Sequence, residues 1–547
     1  MNRKRLALIV IFLLSRTILF AQNDTVRDDA ASSYNLNQPD RVEWFRNAGS
    51  GLFIHFSVDA QLGIVISHSL VGASDDYANR FYNELPQSFD PARFNPYEIA
   101  VLARLAGMKY IMFTAKHHSG FCMWDTKTTA FNIMNTPYHK DLLKEFVEAT
   151  RKAGLQVGFY FSPEDFNFLR LHNIAISRTD VVMNDGLKKE FDDYTRQQCE
   201  ELMRQYGKID LLFIDGEPKE TVKATCWKWQ PDILITRGAL KTPEQVMPGV
   251  TITDPWLSCI TMGTAWQFQP TNERYKPGTQ LIGLLIEARS KGGNLLLNIG
   301  PRADGALPEE QEGRLREMAA WYFINKEAVD SVRPWVISNE GNIWFTTTPD
   351  KKTLYAFITG LPDWKEGTRK SFVLHSVKST AATHLNVLGQ SSRMIEYNKN
   401  PDVNCTFRQT DTGLVVSVVK AQRIYDDHRW PNPVVMKLEN VLPAINPLEV
   451  ETLPVIARAG KTLARGRILH YGHEMVKACF YYRPYRGQLE TLYAGPWQKT
   501  GRVMVQPDGS FEGALPLAKG AKYEYRAAIE YARIEMNGEN KIAAWQF

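Results

Sequence analysis

Between about residues 40 and 337 the chain repeats one unit. A short apolar run that suits a buried strand is followed by a stretch with apolar residues at helical spacing. The runs are SGLFIHFS, KYIMFTAK, LQVGFYFS, KIDLLFIDGE, DILITRG and NLLLNIG, and the helical stretches include NPYEIAVLARLAG, HKDLLKEFVEATRKAG, residues 188–206, QLIGLLIEARSKGG and EEQEGRLREMAAWYFIN. Alternation at this spacing predicts parallel strands joined by crossover helices. An open doubly wound sheet and a closed (β/α)8 barrel both produce it. No glycine-rich dinucleotide fingerprint follows the first strand. His55, His117, His118, Tyr160, Asp215 and Arg237 instead fall at the C-terminal ends of successive strands. A barrel gathers such ends around one pocket, whereas an open sheet spreads them along an edge. The expected fold class is therefore α/β, a (β/α)8 TIM-like barrel over residues 40–337. The segment ISHSLVGASDDYANRFYNELPQSF shows no clear period and reads as a long loop over one end of the barrel.

Beyond Pro334-Trp335 the period changes to short strand-like runs such as TLYAFITG, SFVLHSV and LVVSVVKA, separated by Gly, Asp and Pro. A β-sandwich over residues 338–447 fits them. A second small all-β module with an immunoglobulin-like strand rhythm is expected over 455–547. Three domains agree with a length of 547 residues at roughly 150 residues per domain. The opening MNRKRLALIVIFLLSRTILFA has a basic start, an apolar run and a closing Ala21, so residues 1–21 read as a signal peptide. The expected location is exported, periplasmic or extracellular. Losing Arg3, Lys4, Arg5 and Arg16 with it takes the formal charge from +5 to +1. That near-neutral balance gives no reason to expect a nucleic acid or a membrane surface as partner. Six cysteines are scattered without a CxxC pair, which argues against a zinc or redox site and for buried thiols.

The run ending in Asp215-Gly216-Glu217 carries the chemistry. An aspartate closing a buried strand, followed by a glycine that lets the chain turn, points into a pocket; the competing reading is a helix cap or a partner for a buried arginine. With three histidines, Tyr160, Arg237 and the nearby Trp124 and Trp266, the pocket suits a sugar. Histidine and arginine hydrogen-bond hydroxyls, and aromatic faces cover the C–H surface of the ring. A metal is the rival for His117-His118, but adjacent strand residues point to opposite faces. Neither a metal nor another cofactor is expected.

KYIMFTAKHHSGFCMWDTKTT, LQVGFYFS, KIDLLFIDGE, ILITRG and NLLLNIGPRADG resemble the signatures of family 29 glycoside hydrolases, the α-L-fucosidases. SGLFIHFS is similar to that family's early histidine strand and AAWYFINKEAVDSVRPW to its closing helix. The resemblance runs from about Val42 to Trp335. It implies a retaining exo-glycosidase that hydrolyses terminal α-L-fucosides of a glycan or glycoconjugate. Asp215 would be the nucleophile; His55, His117, His118, Tyr160 and Arg237 would hold the hydroxyls, and Trp266 the apolar face. Where many members carry Trp-Glu as general acid/base, this chain has Trp256-Leu257. Glu217 is then the favoured replacement, with Glu164, Asp75 and Asp76 also near the expected rim. The alternatives are a catalytically impaired or inactive carbohydrate-binding relative and an α-L-galactosidase. The linkage cleaved, the role of the last module and homo-oligomer formation are left open.

Overall fold

Leu211–Ile214 has no polar side chain and is buried throughout, as a strand covered on both faces must be. It is the fourth of seven parallel strands. These are β1 Ser50–Ile54, β2 Tyr110–Lys116, β3 Gln156–Phe161, β4 Leu211–Ile214, β5 Leu234–Ile235, β6 Leu257–Thr261 and β7 Asn294–Ile299. Their order is β5-β4-β3-β2-β1-β7-β6. The sheet curls into a barrel whose gap, between β5 and β6, is spanned by the irregular segment 241–245. Lys241 bridges Trp256 and Glu244 bridges Cys259, both in parallel sense. The computed structural model describes residues 34–178, 181–271, 273–391, 402–424, 430–485, 487, 495–518 and 520–544. The expected signal peptide lies outside them. No helix among the described residues is long and apolar enough to cross a membrane.

Large side chains fill the inside of the barrel: Phe53, Tyr110, Met112, Tyr160, Leu211, Phe213, Leu257 and Leu296 form one cluster. The helix Pro39–Ala48 closes the floor with Phe45, whose carbonyl accepts from Asn294 Nδ2 at 2.9 Å. The long helices Pro96–Leu105, Leu142–Lys152, Asp185–Gln205, Gly278–Ser290 and Glu309–Asn325 each turn an apolar stripe toward the sheet. Two differences from the sequence reading concern the rim. The stretch expected to be a loop contains the helix Asp75–Asn83, started by Ser74, which accepts from the Tyr77 N–H, and anchored by Ala78, Phe81 and Tyr82. Nine residues give too few turns for a period to show. The strand β6 is also hidden in the sequence, because its Ser258 and Thr261 interrupt the apolar run.

After the barrel, the strand Arg333–Glu340 crosses the expected boundary at 337 and joins a five-stranded antiparallel sheet, against which lies a three-stranded sheet of Arg369–Leu374, Gly413–Val419 and Thr406–Thr410. The next two sheets begin with Glu449–Arg458, ahead of the expected start at 455, and share one apolar core with the first pair. Five of the six cysteines are buried and all are free thiols.

Inside the barrel a Cβ on Gly51 would stand 2.2 Å from the buried Tyr110 ring. Gly51→Ala is expected to cost about 3 kcal/mol, read as a lower urea midpoint at unchanged slope.

Candidate active site

Each strand of the barrel delivers its next residue to the same end. Asp215 follows β4 directly, and Gly216, at φ 119°, turns the chain away so tightly that a Cβ there would meet Glu164 Cγ at 2.6 Å. The Asp215 carboxylate is 15 % exposed and faces four cationic or hydroxyl donors. Tyr160 donates its hydroxyl to Oδ2 at 2.8 Å, and His118 Nε2 lies 3.6 Å from the same oxygen. Oδ1 has looser partners, Arg237 Nη1 at 3.4 Å and Arg178 Nη2 at 3.5 Å. Burial opposes ionisation of Asp215, but Arg237, His118, Arg178 and the Tyr160 hydroxyl outweigh it and hold the carboxyl well below the usual carboxylate range.

The arginines are held in turn. Burial disfavours the charge on Arg237, yet Glu244 and Asp215 more than restore it, and Arg237 Nη2 donates to Glu244 Oε2 at 2.7 Å. Arg178 Nε donates to Glu164 Oε2 at 2.8 Å, and His118 Nδ1 is 3.2 Å from that oxygen. Two arginine–glutamate pairs thus flank Asp215, one from the β3 side and one from the segment that closes the barrel.

The histidines are set by their second nitrogens. Asn298 donates Nδ2 to the Trp266 carbonyl at 2.6 Å, so its Oδ1 accepts from His55 Nδ1 at 2.6 Å. The neutral His55 then keeps Nε2 as an acceptor. Burial lowers its pKa to about 4, so it stays neutral above that pH. Ser67 Oγ accepts from the Ser119 N–H at 2.9 Å and lies 2.8 Å from His117 Nδ1. Ser67 thus fixes the Nδ1 side of the ring, and Nε2 is left facing the pocket. Burial, reinforced by His118, His55 and His68, keeps His117 well below the usual histidine pKa. The ring of Trp266 is 4.9 Å from His55 and 6.2 Å from Phe53.

The structure brings His55, His117, His118, Tyr160, Asp215, Arg237 and Trp266 together. It does not bring in Trp124, which is fully buried and donates Nε1 to Glu201 on the helix Asp185–Gln205. Nor does it bring in Glu217, the expected acid/base. That carboxylate is 74 % exposed and accepts from the Lys219 N–H at the start of the next helix, outside the pocket. Asp76 is 79 % exposed and paired with Arg80. Leu257, the departure from the family pattern, is the first residue of β6 and is wholly buried with Leu211, Leu234 and Leu296 in the lower barrel, not in the pocket. Arg178, Glu244, Ser67 and Asn298 went unrecognised in the sequence. Only Asn298 carried a signal there, as a polar residue inside the apolar run NLLLNIG. Among the described residues no group of three or more His, Cys, Asp or Glu is arranged to hold a metal.

A barrel mouth that keeps one carboxylate ionised beside the neutral His55 and His117 and an aromatic face suits sugar processing, and comparison with known proteins gives the class, a glycoside hydrolase. A family model described as Alpha-L-fucosidase matches residues 19–327, and the chain belongs to that family. An alpha-L-fucosidase of Dictyostelium discoideum is 26 % identical over 416 residues, covering 69 % of this chain and 88 % of its own. One of Branchiostoma floridae is 28 % identical over 393 residues, covering 65 % and 86 %. Among solved structures, alpha-L-fucosidase isoenzyme 1 from Paenibacillus thiaminolyticus superposes with a TM-score of 0.58 at 26 % identity, over 73 % of this chain and 98 % of its own. The fold is also that of a Bacteroides thetaiotaomicron alpha-L-fucosidase trapped as a covalent intermediate, at a TM-score of 0.60 and 20 % identity, over 76 % and 99 % of the two chains.

Removing the Tyr160 hydroxyl leaves Asp215 with one donor fewer, so its carboxyl protonates at higher pH. Tyr160→Phe is expected to move the acid limb of kcat/KM for an aryl α-L-fucoside upward by about one unit, the worth of one hydrogen bond to a charged group. An unmoved limb would place the hydroxyl's effect elsewhere.

Proposed function

We propose that the protein is an exported, retaining exo-glycosidase that hydrolyses terminal α-L-fucosides. The observation that carries this reading is the Asp215 carboxylate, kept ionised against its burial by Arg237, His118, Arg178 and the Tyr160 hydroxyl at the base of a pocket that also holds His55, His117 and the Trp266 ring. Tyr160 donates to Oδ2 and holds the carboxylate in place for attack on the anomeric carbon. The bond to the leaving oxygen breaks as the glycosyl–aspartate ester forms. Water then cleaves the ester from the face the leaving group vacated, and configuration is retained.

A proton must reach the leaving oxygen, and Glu244 is the carboxylate we assign to deliver it. The hydroxyl-binding histidines lie on β1 and β2, and Glu164 sits on their side, with His118 between it and Asp215. The leaving group has to emerge away from that grip, toward the segment that closes the barrel. Glu244 stands there, 19 % exposed, joined to Asp215 through Arg237. To deliver a proton, Glu244 first takes one from solvent, exchanging its ion pair with Arg237 for a hydrogen bond. It passes that proton to the leaving oxygen in the first step and takes one from water in the second. Trp266, beside Phe53, gives an apolar wall suited to the C6 methyl of fucose, which favours fucose over L-galactose.

Asp215→Ala is expected to lower kcat on an aryl α-L-fucoside by roughly 10³-fold or more. Glu244→Ala is expected to lose about 10²–10⁴-fold on poor leaving groups and much less on good ones, with azide restoring turnover as a fucosyl azide. Full activity in Asp215→Ala would end the proposal. A Glu244→Ala enzyme indifferent to both leaving group and azide would return the acid/base role to another carboxylate.

A further inference from the structure

The loop that carries Trp266 leaves β6 after Thr261 and returns at Lys276, just ahead of the helix Gly278–Ser290. Alternate residues of β6 turn their backbone groups toward the gap in the barrel, where the segment 241–245 meets them. There the Cys259 N–H donates to the Pro243 carbonyl, the Gln245 N–H donates to the Cys259 carbonyl, and the Thr261 N–H reaches Gln245 Oε1 at 3.3 Å. The Thr261 carbonyl is the next group on that side, and a side chain meets it. Lys276 Nζ donates to the Thr261 carbonyl at 2.6 Å and to the Gly263 carbonyl at 3.0 Å, while the Lys276 backbone N–H donates to the Met262 carbonyl at 2.9 Å. One residue of the returning leg thus holds three successive carbonyls of the leaving leg.

Lys276 is 1 % exposed, and an ammonium so deeply buried is costly unless its hydrogens are used. Burial pulls its pKa down to about 8 against the nearby Glu273, so it is still cationic at neutral pH. Glu273 adds a second rung to the loop. Its Oε1 accepts from the Thr264 N–H and, at 2.7 Å, from the Thr264 hydroxyl, and a Cβ on Gly263 would stand 2.3 Å from it. The Thr261 hydroxyl supplies a further donor to the Gly263 carbonyl at 2.7 Å. We propose that Lys276 is a positioning residue of the sugar pocket, clamping the base of this loop so that the Trp266 ring stands against the C6 end of the bound sugar. The inference rests on the fucosidase reading for what meets the ring, and on the geometry alone for the clamp.

A clamp in this place sets the direction of the ring. Asn298 Nδ2 holds the Trp266 carbonyl at 2.6 Å, and beyond it the chain lies so close to Gly300 that a Cβ there would stand 2.5 Å from the Phe268 nitrogen. The far side of the tryptophan is therefore pinned to β7 and its end, and the near side depends on the rungs at Lys276 and Glu273. Opening the base leaves the pinned carbonyl as a pivot about which the ring swings. His55 is held by the same Asn298 and stays where it is. The grip on the hydroxyls then survives, and what changes is the apolar wall at the methyl group.

Methionine has nearly the length of lysine and no hydrogen to donate. In Lys276→Met, kcat/KM for an aryl α-L-fucoside should fall about tenfold relative to the matching α-L-galactoside, whose C6 hydroxyl gains little from an apolar wall. The loss should lie in KM more than in kcat. Trp266→Ala should lower the same ratio, and adding Lys276→Met to it should lower it no further, because both act through one ring. Thr261→Val, which removes the other donor to the Gly263 carbonyl, should move the ratio the same way by about threefold, and it carries the test if Lys276→Met does not fold. A readout without sugar is amide hydrogen exchange, which should quicken over residues 261–266 in the same variant and stay unchanged in β1 and β2. A ratio unchanged in the folded variant, whatever its Tm, or a second full fall in the double variant, overturns the proposal. A wild type with no preference for the fucoside overturns the fucosidase reading instead, and the exchange rates then decide for or against the clamp.

Discussion

A carboxylate charge taken out of water has to be compensated, and the pocket is arranged around that requirement at Asp215. Left alone in a barrel, the group would take up a proton. Two guanidinium groups, a phenol and an imidazole keep it charged. Those cations cannot stand alone either. Arg237 is 4 % exposed and is held by Glu244, while Arg178 is held by Glu164. The outcome is an alternating row, Glu164–Arg178–Asp215–Arg237–Glu244, in which every charge is bounded by its opposite. Such rows tolerate the loss of an end better than the loss of a middle member, because removing an inner group leaves two buried charges unopposed.

The histidines depend on a second buried pair below them. Lys116, the last residue of β2, has no exposure and lies 3.1 Å from Asp165 Oδ2, with Gln198 Oε1 at 2.8 Å and the Tyr194 hydroxyl on the same carboxylate. A Cβ on Gly120 would stand 2.3 Å from Asp165 Oδ1, so the turn after His117-His118 folds directly onto this pair. Asp165 also caps the helix Phe166–Leu171. One aspartate therefore fixes the end of β2, the turn that follows the histidines and the first helix after β3. The rim loops have shorter-range ties, but the two imidazoles at its centre are bolted to the scaffold.

How much of this could be read from the sequence follows from where each residue sits. His55, Tyr160, Asp215 and Arg237 lie at or just past the ends of buried strands, and a polar residue closing an apolar run is visible without knowledge of the fold. Glu244 and Arg178 enter from irregular segments, where no period marks a direction, and only the folded chain shows that they meet Asp215. Glu217 misled for the opposite reason. It leaves the same strand end as Asp215, but the turn at Gly216 carries it outward, and the adjacent N–H of Lys219 captures it. Trp124 shows the limit of composition: an indole suits a sugar, yet its N–H met Glu201 and its ring joined the core. Leu257 could be weighed only once β6 was known to begin there.

The last all-β module meets the barrel at a place that bears on its role. The Gly249 N–H donates to Glu539 at 2.7 Å, and a Cβ on Gly249 would stand 2.9 Å from the Asn540 nitrogen and the Gly538 carbonyl. Gly249 lies in the segment that runs from Gln245 down to Trp256, where β6 starts. The same segment is tied to the barrel by Ile252, whose N–H donates to the Lys291 carbonyl, and by Arg46, which donates to the Thr253 carbonyl at 2.7 Å. This contact lies on the side from which β6 enters the barrel, whereas the sugar pocket opens where the strands end. The module therefore touches the connection between Glu244 and β6 at Gly249, away from the pocket.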